Sequence, residues 1–113
     1  MKRIAIFASG SGTNAEQIIR HFKTSGKAIT EVVLCNNPGA TVIERAKNLH
    51  TPSMVFTRDD LYKTDKIEKL LVRLKIDLIV LAGFLWLIPD SLIKKFPGKI
   101  VNIHPALLPK YGG

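Results

Sequence analysis

Asn102 and His104 stand two residues apart where an apolar run gives way to Pro105. On a strand that spacing places both side chains on one face, so a carboxamide and an imidazole would converge on a single point. Together they can donate to the oxygen of a tetrahedral adduct, and loss of one such donor typically slows acyl transfer roughly 10²- to 10³-fold. A lone histidine beside an apolar strand is usually a satisfied structural group; the asparagine at same-face spacing is what favours chemistry here. No Ser, Cys or Lys nucleophile adjoins a base, which favours direct attack by a bound amine over a covalent enzyme intermediate.

A second polar stretch, Gly10-Ser11-Gly12-Thr13-Asn14, interrupts the first apolar run. Its glycines permit a sharp turn after a strand and bare the backbone amides at a helix amino end, where the dipole favours an anion. Thr13 and Asn14 add side-chain donors. The dinucleotide fingerprint is absent, because Ala15 occupies the third glycine position and Cys35-Asn36-Asn37 ends the second strand without an acidic residue. A P-loop is excluded by the lack of Gly-Lys-Ser/Thr. A tight turn before a capped helix would account for the same residues.

The elements that must carry these groups follow an alternating pattern. Strands are expected at Ile4 to Ala8, Val32 to Cys35, Ser53 to Phe56, Leu78 to Ala82 and Ile100 to Ile103. Helical spacing appears between them: Ala15, Ile18, Ile19 and Phe22; Ile43, Ala46 and Leu49; Ile67, Leu70, Leu71 and Leu74. Pro89 is expected in the first turn of a short helix through Phe96, closed by Pro97-Gly98. Strands apolar on both faces, each separated by a helix, imply an α/β fold with a doubly wound parallel sheet of Rossmann type. With strand order 3-2-1-4, Ser9 to Asn14 and Gly83-Phe84 would flank the switch point.

Composition agrees with one such domain over residues 1–113: 46% hydrophobic and 23% charged residues fit an ordinary globular chain. No apolar stretch approaches the roughly 20 residues of a membrane span, and Met1-Lys2-Arg3 leads into a strand without a cleavage site, so a cytoplasmic protein is expected. The net charge of +8 favours phosphorylated or polyanionic ligands without specifying nucleic acid, and Lys66, Lys69 and Arg73 fall on the outward side of a helix. Cys35, the single cysteine, excludes an internal disulfide and reads as a small core residue.

The segments Ala8 to Asn14, Leu81-Ala82-Gly83-Phe84 and Asn102 to Tyr111 resemble, in order and spacing, the phosphoribosylglycinamide formyltransferase family of purine biosynthesis. The resemblance spans the whole chain. It implies a Rossmann-like formyltransferase fold, of which residues 1–113 are the amino-terminal, ribonucleotide-binding part, truncated after the fifth strand. It further implies 10-formyltetrahydrofolate as cosubstrate and glycinamide ribonucleotide as acceptor, with no metal, nucleic acid or membrane. Gly12, Thr13 and Asn14 match the ribonucleotide loop. Leu85, Trp86, Leu87 and Ile88 match the folate-contacting segment, which Asn102 joins, and Arg58 falls near a family arginine that contacts folate. Asn102 and His104 match the catalytic asparagine and histidine.

The family's third catalytic residue, an aspartate that keeps the histidine protonated, would lie beyond Gly113. Without it His104 would titrate at roughly 6.5, and a literal 113-residue chain is expected to have little activity. Ile100, Val101, Ile103, Leu107 and Leu108 would then form an exposed apolar edge that promotes self-association, a homodimer included. Three other readings stay open. Methionyl-tRNA formyltransferase shares Asn-x-His and Leu-Leu-Pro and would suit the charge; formyltetrahydrofolate deformylase would pass the formyl group to water. Both depart from Gly10 to Asn14. The third is a noncatalytic phosphate-binding module.

Overall fold

The computed structural model of the chain describes residues 1–103. Its apolar runs become strands β1 (Lys2–Ala8), β2 (Ala28–Cys35), β3 (Ser53–Val55), β4 (Leu78–Ala82) and β5 (Ile100–Ile103). They form one parallel sheet in the order β3-β2-β1-β4-β5. This is the doubly wound order expected from the alternating pattern, with its switch point between β1 and β4.

The two sheet faces collect two separate cores, because alternate residues of a strand point in opposite directions. On one face, Ile4, Ile6 and Ala8 pack with Ala15 and Ile19 of α1 (Thr13–Ser25) and Val42 and Ala46 of α2 (Thr41–Asn48). On the other, Ala5 and Phe7 pack with Leu61 of α3 (Arg58–Tyr62), Ile67 and Leu71 of α4 (Lys66–Arg73), and Leu92 of α5 (Asp90–Lys95). The fully buried Phe7 ring also meets Phe56 and Phe84 edge-on, with centroids 5.9 and 5.3 Å away. Truncating such a side chain to Ala costs about 3–5 kcal/mol. That contact seats the start of the segment after β4 on the core.

Several boundaries differ from the periodicity reading. Helix α3 has no apolar repeat to announce it; instead Thr57 and Asp60 form a reciprocal capping box that starts the turn. Pro89 caps α5 from an extended conformation just outside the helix rather than occupying its first turn. Phe56 lies beyond β3 yet is buried. The edge strands also break the expectation of apolar faces on both sides: β3 and β5 expose about half of their residues, because each has a sheet neighbour on one side only. Lys66, Lys69 and Arg73 do face outward, and Lys69 pairs with Asp65 at 3.4 Å. Cys35 is buried, and that burial pushes its thiol pKa up, as suits an inert core residue.

Candidate functional site

Glycine 12 sits at φ +79°, immediately before α1, and a Cβ there would lie 2.8 Å from the Val42 Cα. Only glycine meets both the left-handed backbone and the close approach of α2. The loop is fastened to that helix by the Val42 N–H donating to the Gly10 carbonyl at 3.1 Å, and by the Arg45 Nε donating to the Ser11 carbonyl at 2.7 Å. Arg45 also donates to Glu16 at 2.7 Å, while Arg20 donates to the other carboxylate oxygen at 2.8 Å. Those two bonds, Arg20 first, hold the Glu16 carboxyl below its ordinary pKa. The loop is thus braced before any ligand arrives, which lowers the entropy cost of binding one.

Gly10, Ser11, Gly12, Thr13 and Asn14 line a cleft of about 150 Å³, closed on its far side by Ala82 and Gly83 at the end of β4. The first amides of a helix have no intrahelical partner, and here they open onto this cleft with the positive end of the α1 dipole. Its size and polarity suit a phosphate group. Two larger hollows lie elsewhere. One of about 450 Å³ sits near the amino ends of β1 and β2, bordered by Met1, Phe22 and His50. Another of about 380 Å³ is an apolar groove between α1 and β4–β5, bordered by Ile18, Phe22, Val80 and Ile103. Lys23, Thr30, His50 and Thr51 also border the first, but neither hollow is built around the glycine turn that precedes α1.

Beyond Gly83 the chain runs along the opposite sheet face. Leu85 and Leu87 project into solvent, 82% and 84% exposed, while Trp86 and Ile88 turn inward against the second core. The four residues therefore do not present a common surface: their alternation divides them into an outward pair and an anchoring pair. The Arg58 guanidinium stacks over the Trp86 ring at 4.3 Å, and the Tyr62 hydroxyl donates to the Leu87 carbonyl at 2.6 Å. Arg58 and the segment are thereby brought together by α3. Tyr62, Arg45 and Glu16 escaped sequence reading; the Thr57-x-x-Asp60 capping signal was the one cue to α3.

Asn102 pairs with Leu81, and Leu81 with Phe7, so Asn102 shares the sheet face of Phe84 and Trp86. It is exposed and does not line the glycine cleft, from which β4 separates it. His104 lies outside the described residues. Among those described, no three His, Cys, Asp or Glu side chains gather as a metal site requires, and no helix is long and apolar enough to cross a membrane.

A family profile described as formyl transferase matches residues 2–113. A phosphoribosylglycinamide formyltransferase of Bacillus subtilis is 41% identical over 118 aligned residues, covering 100% of this chain and 60% of its own. One from Haemophilus influenzae is also 41% identical, with 56% of its length covered. Among solved structures, a glycinamide ribonucleotide transformylase 1 from Geobacillus kaustophilus superposes with a TM-score of 0.82 at 44% identity, covering 100% of this chain and 63% of that one. A phosphoribosylglycinamide formyltransferase from Brucella melitensis gives 0.85 at 35% identity, covering 99% and 61%. The chain therefore spans 56 to 60% of the length of the two curated relatives.

Proposed function

Because this chain belongs to the formyl transferase family, we propose that the protein transfers the formyl group of 10-formyltetrahydrofolate to the amine of glycinamide ribonucleotide. The carrying observation is the braced glycine cleft at the switch point, whose bare amides and helix dipole suit the ribonucleotide phosphate. The names of the relatives support this acceptor over other phosphorylated amines.

In this reading Gly12, Thr13 and Asn14 hold the phosphate. Leu85, Trp86, Leu87 and Ile88, with Arg58 and Asn102, form the folate wall, where Leu85 and Leu87 offer apolar surface and Trp86 and Ile88 anchor it. The amine nitrogen attacks the formyl carbon, and the carbonyl electrons move onto oxygen, where Asn102 and His104 donate hydrogen bonds. Collapse of the adduct breaks the bond to the folate nitrogen, which takes the proton that the amine gives up. The protein works in the cytoplasm on two small molecules, without metal, nucleic acid or membrane. A polypeptide confined to these 113 residues is expected to turn over little, since it spans only part of the length of its relatives.

The test is to supply labelled 10-formyltetrahydrofolate with glycinamide ribonucleotide and, in parallel, with methionyl-tRNA or water alone. Labelled formylglycinamide ribonucleotide is expected. Label recovered only as formate or only on tRNA would overturn the proposal in favour of the corresponding reaction.

A further inference from the structure

The segment from Phe84 to Ile88 is held at two points of its backbone. Tyr62 of α3 fixes the Leu87 carbonyl, and from the opposite direction the Leu85 N–H donates to the Ser9 hydroxyl oxygen at 3.0 Å. Ser9 is buried, follows the last residue of β1 and directly precedes Gly10. The paired register of β1 and β4 stops at Phe7 and Leu81, so beyond it the Ser9 side chain supplies a link that the ladder no longer provides. Gly83, at φ +72°, lies at the root of the segment, where the backbone alone gives little stiffness.

We propose that Ser9 is a positioning residue whose hydroxyl sets the segment after β4 at a fixed separation from the glycine loop. One side chain would then keep the apolar surface of Leu85 and Leu87 in register with the phosphate cleft. The tether itself is independent of the reaction; its consequence for two substrates rests on the formyl-transfer reading. Removing the acceptor leaves the Leu85 amide without its partner and loosens the stretch between Gly83 and the Tyr62–Leu87 bond.

Three variants test this: Ser9→Ala, which deletes the acceptor; Ser9→Thr, which keeps it; and Ser9→Cys, which fills the space with a weak acceptor. In Ser9→Ala the Leu85 amide should exchange with deuterium roughly fivefold faster. Iodide should also quench Trp86, the single tryptophan, more strongly. Ser9→Thr should restore both readings. The KM for formyl folate should rise severalfold in Ser9→Ala while that for the ribonucleotide stays within about twofold, a split that general destabilisation would not produce. Should Ser9→Ala fail to fold, Ser9→Cys is expected to show the same changes. Unchanged Leu85 exchange in the folded Ala or Cys variant, or no restoration by Thr, overturns the proposal. A wild-type protein without formyl transfer would end the reading of function, while exchange and quenching would still decide the role of Ser9.

Discussion

The guanidinium carbon of Arg58 sits over the Trp86 ring, 4.3 Å from its centre, joining the first residue of α3 to the middle of the segment after β4. The sequence separation of these residues is large, and the packing of Phe56 and Tyr62 against Trp86, with the Tyr62 hydrogen bond to Leu87, brings them together. Arg58→Ala should therefore lower stability only slightly, by about 0.5–1 kcal/mol for an exposed cation–π contact. Folate affinity should fall further than that, because the same residue is proposed to meet the ligand. Arg58→Lys should recover part of the stability and little of the affinity, as an ammonium lacks the planar stack. Urea midpoints and a fluorescence titration with folate measure the two effects separately; equal losses in both would argue against a ligand contact.

Gly12→Ala should be damaging twice over. The φ of +79° strains any side-chain-bearing residue, at about 1–3 kcal/mol, and the added Cβ would press on the backbone of Val42. Shrinking Val42 to Ala relieves only the side-chain part, since its Cα is itself 2.8 Å from that Cβ. Calorimetric titration with inorganic phosphate should show binding lost in Gly12→Ala and not regained in the double variant. Recovery there would mean that the loop is limited by the Val42 side chain rather than by its own backbone.

Asn102→Ala offers a clean separation of chemistry from folding. The residue is exposed on β5, so stability should change by no more than about 0.5 kcal/mol. If its amide donates to the oxyanion, kcat should fall roughly 10²- to 10³-fold with little change in KM. A thermal melt beside steady-state kinetics decides the matter, and a variant that retains near-normal kcat would remove Asn102 from the reaction.

The bracing of the glycine loop should weaken in acid. Hydrogen bonds from Arg20 and then Arg45 hold the Glu16 pKa below its ordinary value, so the native state favours the ionised carboxylate. The stabilisation is complete above the unfolded glutamate pKa, roughly 4.3, and is lost as pH falls from there through the lower native value. Glu16→Gln removes this dependence. The gap between wild-type and variant urea midpoints should accordingly be widest near neutral pH and shrink progressively as the pH falls below about 4.3. A gap that is constant with pH would assign the effect to packing rather than charge.

Much of the fold was legible along the chain because sheet and helix burial are periodic properties. Ile67, Leu70 and Leu71 mark the inward stripe of α4, and the apolar run at Leu78–Ala82 marks a central strand, before any contact is known. Gly10 and Gly12 likewise announced an anion loop, since a sharp turn before a helix is a local demand on residue type. Capping at Thr57 was local too, but α3 is too short for a hydrophobic repeat to register.

Sequence by itself determined the alternation of elements and the glycine loop, which depend on neighbours within a few turns, and the family resemblance, which rests on residue types in linear order. Tertiary structure alone decided that Leu85 and Leu87 face outward while Trp86 and Ile88 anchor, and that Arg45 of α2 braces the loop through Ser11 and Glu16. It also decided that Ser9 reaches Leu85. These relations join residues tens of positions apart, and their existence depends on the order in which strands lie side by side, which no local periodicity encodes.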